Sequence, residues 1–460
     1  MTAPTPTEPH QAATPAEEPA AGPTPRGRGR LAWRPVAAVA LVVLLAGLAV
    51  AFLRGGTPRS TPHADPSNAG ARTAAPGPSV DPGVPATPFD KAALALRSHA
   101  AGLADGDEQA WLNGVDPGQP ALVARYRAWY AALRTLGVTT FEYDPRIGPA
   151  GSKDPSVVSL KSNVWYCFGS DTCKGGGDAD PPHVAQILTM KPVNGRYVIT
   201  RVVDDRPSDT FTPTPWQDGH LVLRKGTRVT LGAAPSEAQY LPTLLPLAEK
   251  AAAHTDAFAN VLHAPQLNYR IYLAGEKQWR TWYGGNNDRW VIGLATPINK
   301  YGIDVIVRVR AIPTTAELQT TLQHELGHVV TLTGASGPPG VDVQWLAEGI
   351  AEYIGLLPRR ATASPRLPSA RWALRNRPLR SMIPRAPARD ASLRAGDAYY
   401  GLSHLAVDCM ARTYGQEKML RFTRAVLTWQ EGYDEAAREA YGIPFAKVDR
   451  TCVAWIRRTV

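Results

Sequence analysis

The chain has 460 residues, a formal net charge of +10 at pH 7 and four cysteines, and 44% of its residues are apolar. That length holds two or three domains with buried cores, and an apolar fraction ordinary for a folded protein excludes a wholly disordered chain. The positive charge is informative only once it is located along the sequence.

Residues 1–34 are rich in Pro, Ala and Thr and carry no apolar period, so they are expected to be a disordered tail. Residues 35–53, PVAAVALVVLLAGLAVAFL, run nineteen positions without a charge, long enough to cross a bilayer as a helix. Arg26, Arg28, Arg30 and Arg34 crowd the N-terminal flank, which the positive-inside rule keeps in the cytoplasm. The expectation is a single-pass cell-membrane protein whose folded part lies outside the cell. The rival is a cleaved signal peptide ending near Ala49-Val50-Ala51, which leaves the folded part in the same compartment. Residues 54–88 are a Pro/Ala/Gly-rich linker. Four cysteines suit that compartment: Cys167 and Cys173 bracket a short loop, and Cys409 and Cys452 remain to pair with each other.

Helical periodicity over 90–107 and 120–137 is followed by four stretches of strand character, 138–144, 156–168, 183–205 with Asn194-Gly195 as an internal turn, and 220–233. Together they predict an α+β accessory domain over 89–233, whose order of elements resembles the nuclear-transport-factor-like fold. A second region, 234–460, opens with a long helix over 236–262. Strands follow at 268–275, 290–298 and 303–310, and then helices apart from one Arg- and Pro-rich stretch.

The first of those helices starts at Thr314, with Glu317 placed to complete a capping box, and contains HELGH, residues 324–328. Its apolar stripe of Leu318, Leu322, Leu326, Val329 and Val330 lies roughly 140° around the helix from His324 and His328. That separation argues against two ordinary core histidines. A spacing of four brings both imidazoles within reach of one metal ion, and Glu325 beside them can meet a water on that ion. A third ligand is required if one position is to stay open. The helix over 341–355, VDVQWLAEGIAEYIG, offers Glu348 and Glu352 one turn apart, opposite Trp345, Leu346, Ile350 and Ile354. Asp342 is its expected cap, and Gly349 and Ala351 allow it to lie close to the histidine helix.

HELGH followed by WLAEGIAEY resembles the gluzincin superfamily of zinc metallopeptidases, with a thermolysin-like catalytic domain. The resemblance implies one Zn²⁺ per chain, held by His324, His328 and Glu348, with Glu325 as general base and Glu352 bonded to a histidine ligand. It also implies a tyrosine donor within GDAYYGLSHLAVDCMARTYG, either Tyr399 or Tyr400, with the register favouring Tyr400. The strand over 303–310 falls where relatives keep the edge strand that pairs with an extended peptide. The Gly-Ala-Met-Glu-Asn phrase of the aminopeptidase branch is absent, so an aminopeptidase is not implied. The expected partner is a peptide or protein substrate, and nucleic acid is not expected outside the cell. Between Arg359 and Arg394 lie ten arginines and one acid, Asp390, a candidate surface for an anionic partner or a merely solvated loop. The alternative function is a catalytically silent cell-surface binding protein on a peptidase fold.

Overall fold

The computed structural model describes residues 87–149, 152–169, 173, 181–205, 213–288, 290–335, 339–340 and 342–460. The candidate span at 35–53, the tail before it and nearly all of the linker lie outside the described residues. Among those described, no helix is long and apolar enough to cross a membrane. The expected mixture of helix and strand is observed.

Helix α1 (Pro88–Asp105) begins in a closed capping box between Thr87 and Asp90 and ends at Gly106, φ 78°. After it come α2 (Glu108–Asn113) and α3 (Pro120–Leu136). They accompany an antiparallel sheet of β1 (Val138–Ile147), β2 (Val158–Phe168), β3 (His183–Val193) and β4 (Arg196–Asp205), paired in chain order. Asn194 and Gly195 both have positive φ, 51° and 79°, as a tight two-residue hairpin turn requires. The enclosed core is aromatic, built on Trp111, Tyr126, Trp129, Phe141, Tyr166 and Trp216. Cys167 and Cys173 are disulfide-bonded, their Cα atoms 5.7 Å apart.

A second sheet contains β5 (Val222–Lys225), β6 (Val229–Ala233), β7 (Tyr269–Leu273), β8 (Gly293–Pro297) and β9 (Ile303–Val307) in the spatial order β5-β6-β7-β9-β8. Strands β6, β7 and β9 are parallel, while β5 and β8 form antiparallel edges. Two sequence expectations are corrected here. Residues 220–233 do not close the first meander but begin the second sheet, because β6 pairs with β7 rather than with β4. The strand within 303–310 is internal, and β8 is the edge.

Alternation along these strands gives the second sheet two buried faces. Val229, Leu231, Ile271, Leu273, Val305 and Val307 join a helical core that includes α4 (Leu241–Val261), while Tyr272 and Ile306 enter the aromatic core of the first sheet. Arg270 and Asp304 share that second face as register partners, 2.6 Å apart and only 4% and 1% exposed. Tyr283, beyond the short α5 (Glu276–Trp279), donates its hydroxyl to the other Asp304 oxygen at 2.5 Å. The helices α6 (Thr315–Leu332), α7 (Gln344–Leu356), α8 (Leu367–Asn376), α9 (Leu393–Tyr414), α10 (Gln416–Leu427), α11 (Tyr433–Tyr441) and α12 (Phe445–Thr459) complete the chain. The Cys409–Cys452 disulfide joins α9 to α12.

Removing one member of a buried ion pair strands the other without solvent or partner. Asp304→Ala is therefore expected to destabilise the fold by about 3–5 kcal/mol, read as a lower denaturant midpoint with an unchanged slope.

Candidate metal centre

Helix α6 starts as its sequence requires: the Glu317 amide donates to the Thr314 hydroxyl oxygen at 3.2 Å. The Glu317 carboxylate accepts from that hydroxyl, at 2.8 Å, where a full box would have it accept from the Thr314 amide. From His324 to Leu332 every residue is buried, so the histidines do not look onto an open surface. They face α7, and the two helices meet through their smallest residues. A Cβ on Gly327 would lie 3.3 Å from the Ala351 Cα, and one on Gly355 would lie 3.0 Å from the His324 amide nitrogen. Ala351 thus has its expected place. Gly349 turns the other way, against the Ser403 carbonyl of α9, and Gly355 takes the role expected of it. Asp342 does not cap α7, whose N-cap is Val343; its carbonyl accepts from the Tyr433 hydroxyl instead.

That approach brings three atoms together. His324 Nε2 and His328 Nε2 are 3.1 Å apart, and Glu348 Oε2 lies 3.3 Å from each. A tetrahedral ion with bonds of ~2.0–2.1 Å needs ligand atoms roughly 3.3–3.4 Å apart, so the triangle fits one face of such a tetrahedron and leaves the fourth vertex free. Glu348 Oε2 is buried without a hydrogen bond, as a carboxylate oxygen aimed at a cation would be. Among the described residues, His324, His328 and Glu348 are the group of side chains that could hold a metal ion.

Burial opposes charge on His324, but the Glu348 and Glu352 carboxylates outweigh it and raise its pKa to about 10. Burial likewise opposes charge on Glu348, yet the two histidines hold its pKa far below the usual carboxylate range. Glu325, 5% exposed, has its pKa raised chiefly by burial.

The surrounding groups form a connected set. His324 Nδ1 lies 3.2 Å from Glu352 Oε1, beside the carboxylate expected to orient it but outside hydrogen-bond geometry. That same oxygen accepts from Arg366 Nε at 3.0 Å. Arg366 also bonds Asp397 and lies 4.7 Å over the Tyr400 ring. Burial, then the neighbouring carboxylates, keep the Tyr400 phenol protonated well beyond its ordinary range. Its ring stands edge-on to His324 at 5.8 Å and to Trp290 at 5.7 Å. Tyr399 is part of the hydrophobic core of the helical layer. His404, one turn beyond Tyr400, is fully buried and kept neutral by that burial, its pKa lowered to about 4, and it is not part of the ligand group.

Sequence reasoning missed Arg366, Trp290 and Gly293. Arg366 sits within the arginine-rich stretch read as a surface, yet it and Arg360 turn inward to buried carboxylates, Glu352 and Asp408. Arg371, Arg375, Arg377, Arg380 and Arg385 are exposed and make no ion pair among the described residues. Gly293 of β8 touches the Glu325 side chain, and a glycine inside a strand pattern is itself a sign of close approach. No protein-family model and no curated protein matches this chain.

Two outcomes are expected. Glu348→Ala should weaken metal retention by orders of magnitude, measured by equilibrium competition with a chelator. Because His324 holds a proton up to about pH 10, a metal must displace it. Affinity should therefore rise with pH across the neutral range. Calorimetry in buffers of different ionisation enthalpy should detect release of about one proton or more per ion bound.

Proposed function

We propose that this chain is a membrane-anchored, extracellular zinc metallopeptidase of the gluzincin type, with a thermolysin-like catalytic region following an α+β accessory region. The observation that carries the reading is the His324–His328–Glu348 triangle, with its 3.1–3.3 Å edges and with Glu325 buried beside it. Two imidazoles and one carboxylate at these separations suit zinc with an open coordination position. When bound, zinc acts as a Lewis acid toward a water and a substrate carbonyl.

The chain's own groups supply the rest. Glu325 accepts the proton of the attacking water and returns it to the departing amine, and its burial makes it a stronger base than an exposed glutamate. Tyr400, held protonated, donates a hydrogen bond to the oxygen on which charge develops. Glu352 fixes the His324 ring through Nδ1. Arg366 holds Glu352 and the Tyr400 ring together. The substrate is a peptide or protein segment, and β8, an outer strand of the second sheet, is the strand suited to pair with it. Anchoring rests on the uncharged stretch 35–53, and an anionic partner at the arginine-rich stretch rests on its exposed, unpaired guanidinium groups.

The test compares the purified full-length protein with Glu325→Gln on a generic unfolded protein, alongside metal analysis. One zinc per chain in both, with turnover lost by at least about 100-fold in the variant, is expected. Zinc without turnover in the wild type would favour a binding protein. Loss of zinc from the variant would remove Glu325 from its role as base.

A further inference from the structure

We propose that Gly293 is the positioning residue of the general base: its missing side chain makes the space in which the Glu325 carboxylate lies. The inference rests on the reading of Glu325 as the base. A Cβ placed on Gly293 would stand 2.1 Å from Glu325 Oε1, 2.6 Å from Cδ and 2.9 Å from Cγ. No non-bonded carbon sits that close, so the two side chains cannot coexist in the present arrangement. Because the overlap reaches Cγ, turning the terminal carboxylate does not relieve it. The whole side chain has to leave its place.

Backbone conformation does not explain the glycine. Ten glycines of the described chain have positive φ and Gly293 is not among them, so an L side chain is permitted by its dihedrals. A glycine inside a strand is also unfavourable in itself. What position 293 requires is room, and the three atoms nearest a Cβ there all belong to Glu325.

The surroundings make the displacement matter. Gly293 opens the edge strand β8 in register with Val307, and the neighbouring Ile292 carbonyl is tied to the Arg308 amide at 2.9 Å. The strand is therefore fastened to β9 along one edge. Against one face of the strand, Glu325 is buried in the field of His324, His328 and Glu348. A methyl group at 293 moves the base relative to the ligand triangle while leaving the triangle intact.

The experiment uses full-length Gly293→Ala and Glu325→Gln beside the wild type. It measures zinc content, kcat and KM on an unfolded protein, and the crystallographic position of the Glu325 side chain in chelator-treated Gly293→Ala. The expected result for Gly293→Ala is one zinc per chain, KM within about twofold, and kcat down by about 100-fold, the size of loss a misplacement of about 1 Å produces. Glu325 is expected to be displaced with His324, His328 and Glu348 unmoved. Wild-type kcat in Gly293→Ala, or an unmoved Glu325 side chain, overturns the proposal. If Glu325→Gln is inactive at the same time, the base assignment survives and only the role of Gly293 falls. An active Glu325→Gln overturns the base assignment itself.

Discussion

Backbone contact between α6 and α7 is the constraint on which the site depends. A carboxylate on a glutamate stem reaches an imidazole of the neighbouring helix only when the two axes are close, and side-chain size at the crossing sets that distance. Here Gly327 lies on Ala351 and Gly355 on His324. Any larger residue at these positions would separate Glu348 from the two histidines by more than the 3.3 Å that now divides them. The apolar side of α7, with Trp345, Leu346, Ile350 and Ile354 all buried, supplies the burial that presses the helices together. The chemistry and the packing are thus two faces of the same short helix.

Bringing these groups together has an electrostatic consequence. Glu325 and Glu352 are buried and the Glu348 side chain is only 14% exposed, and charges in such a place need partners. Glu352 has two, the His324 ring and Arg366, and burial is overcome there so that its pKa falls to about 2. Among the described residues Glu348 has the two imidazoles beside it and no hydrogen bond to its buried Oε2. Glu325 has no hydrogen-bond or ion-pair partner among the described residues, and burial raises its pKa. A divalent ion on the triangle would satisfy Glu348 while leaving Glu325 free to exchange a proton. On the proposed function, environment alone separates the carboxylate that binds from the one that reacts.

Much of this was legible in the sequence because its signals are local. Histidines four apart on an amphipathic helix, two glutamates one turn apart on the next, an Asn-Gly turn and the pairing of four cysteines all follow from helix period, turn chemistry and compartment. What escaped depends on which element meets which. Gly349 and Gly355 are equally small, and their positions on different sides of α7 do not reveal which side meets α6. Arg366 finds Glu352 and Asp397 fourteen and thirty-one positions away, so no spacing marks it out from the other arginines. The strand order was more legible than the reading allowed. The apolar run of β9, interrupted only by Asp304, suits a central parallel strand, and Gly293 and Pro297 in β8 suit an edge.

The first sheet bears on the site through the second. Among the described residues strand β8 has a single strand neighbour, β9, so its position is inherited from that strand. Strand β9 is fixed from both sides: Val305 and Val307 pack into the helical core, while Ile306 packs into the aromatic core. Asp304 is held by Arg270 and Tyr283, and Arg270 in turn lies 5.2 Å from the ring of Phe168, beside the Cys167–Cys173 bridge. Asp304 is also the register partner of Thr296, three residues along β8 from Gly293. The strand that walls the Glu325 carboxylate is therefore placed by contacts from both cores. The first sheet, through the aromatic core it shares with Ile306, is thus rigid backing for the strand against which Glu325 lies.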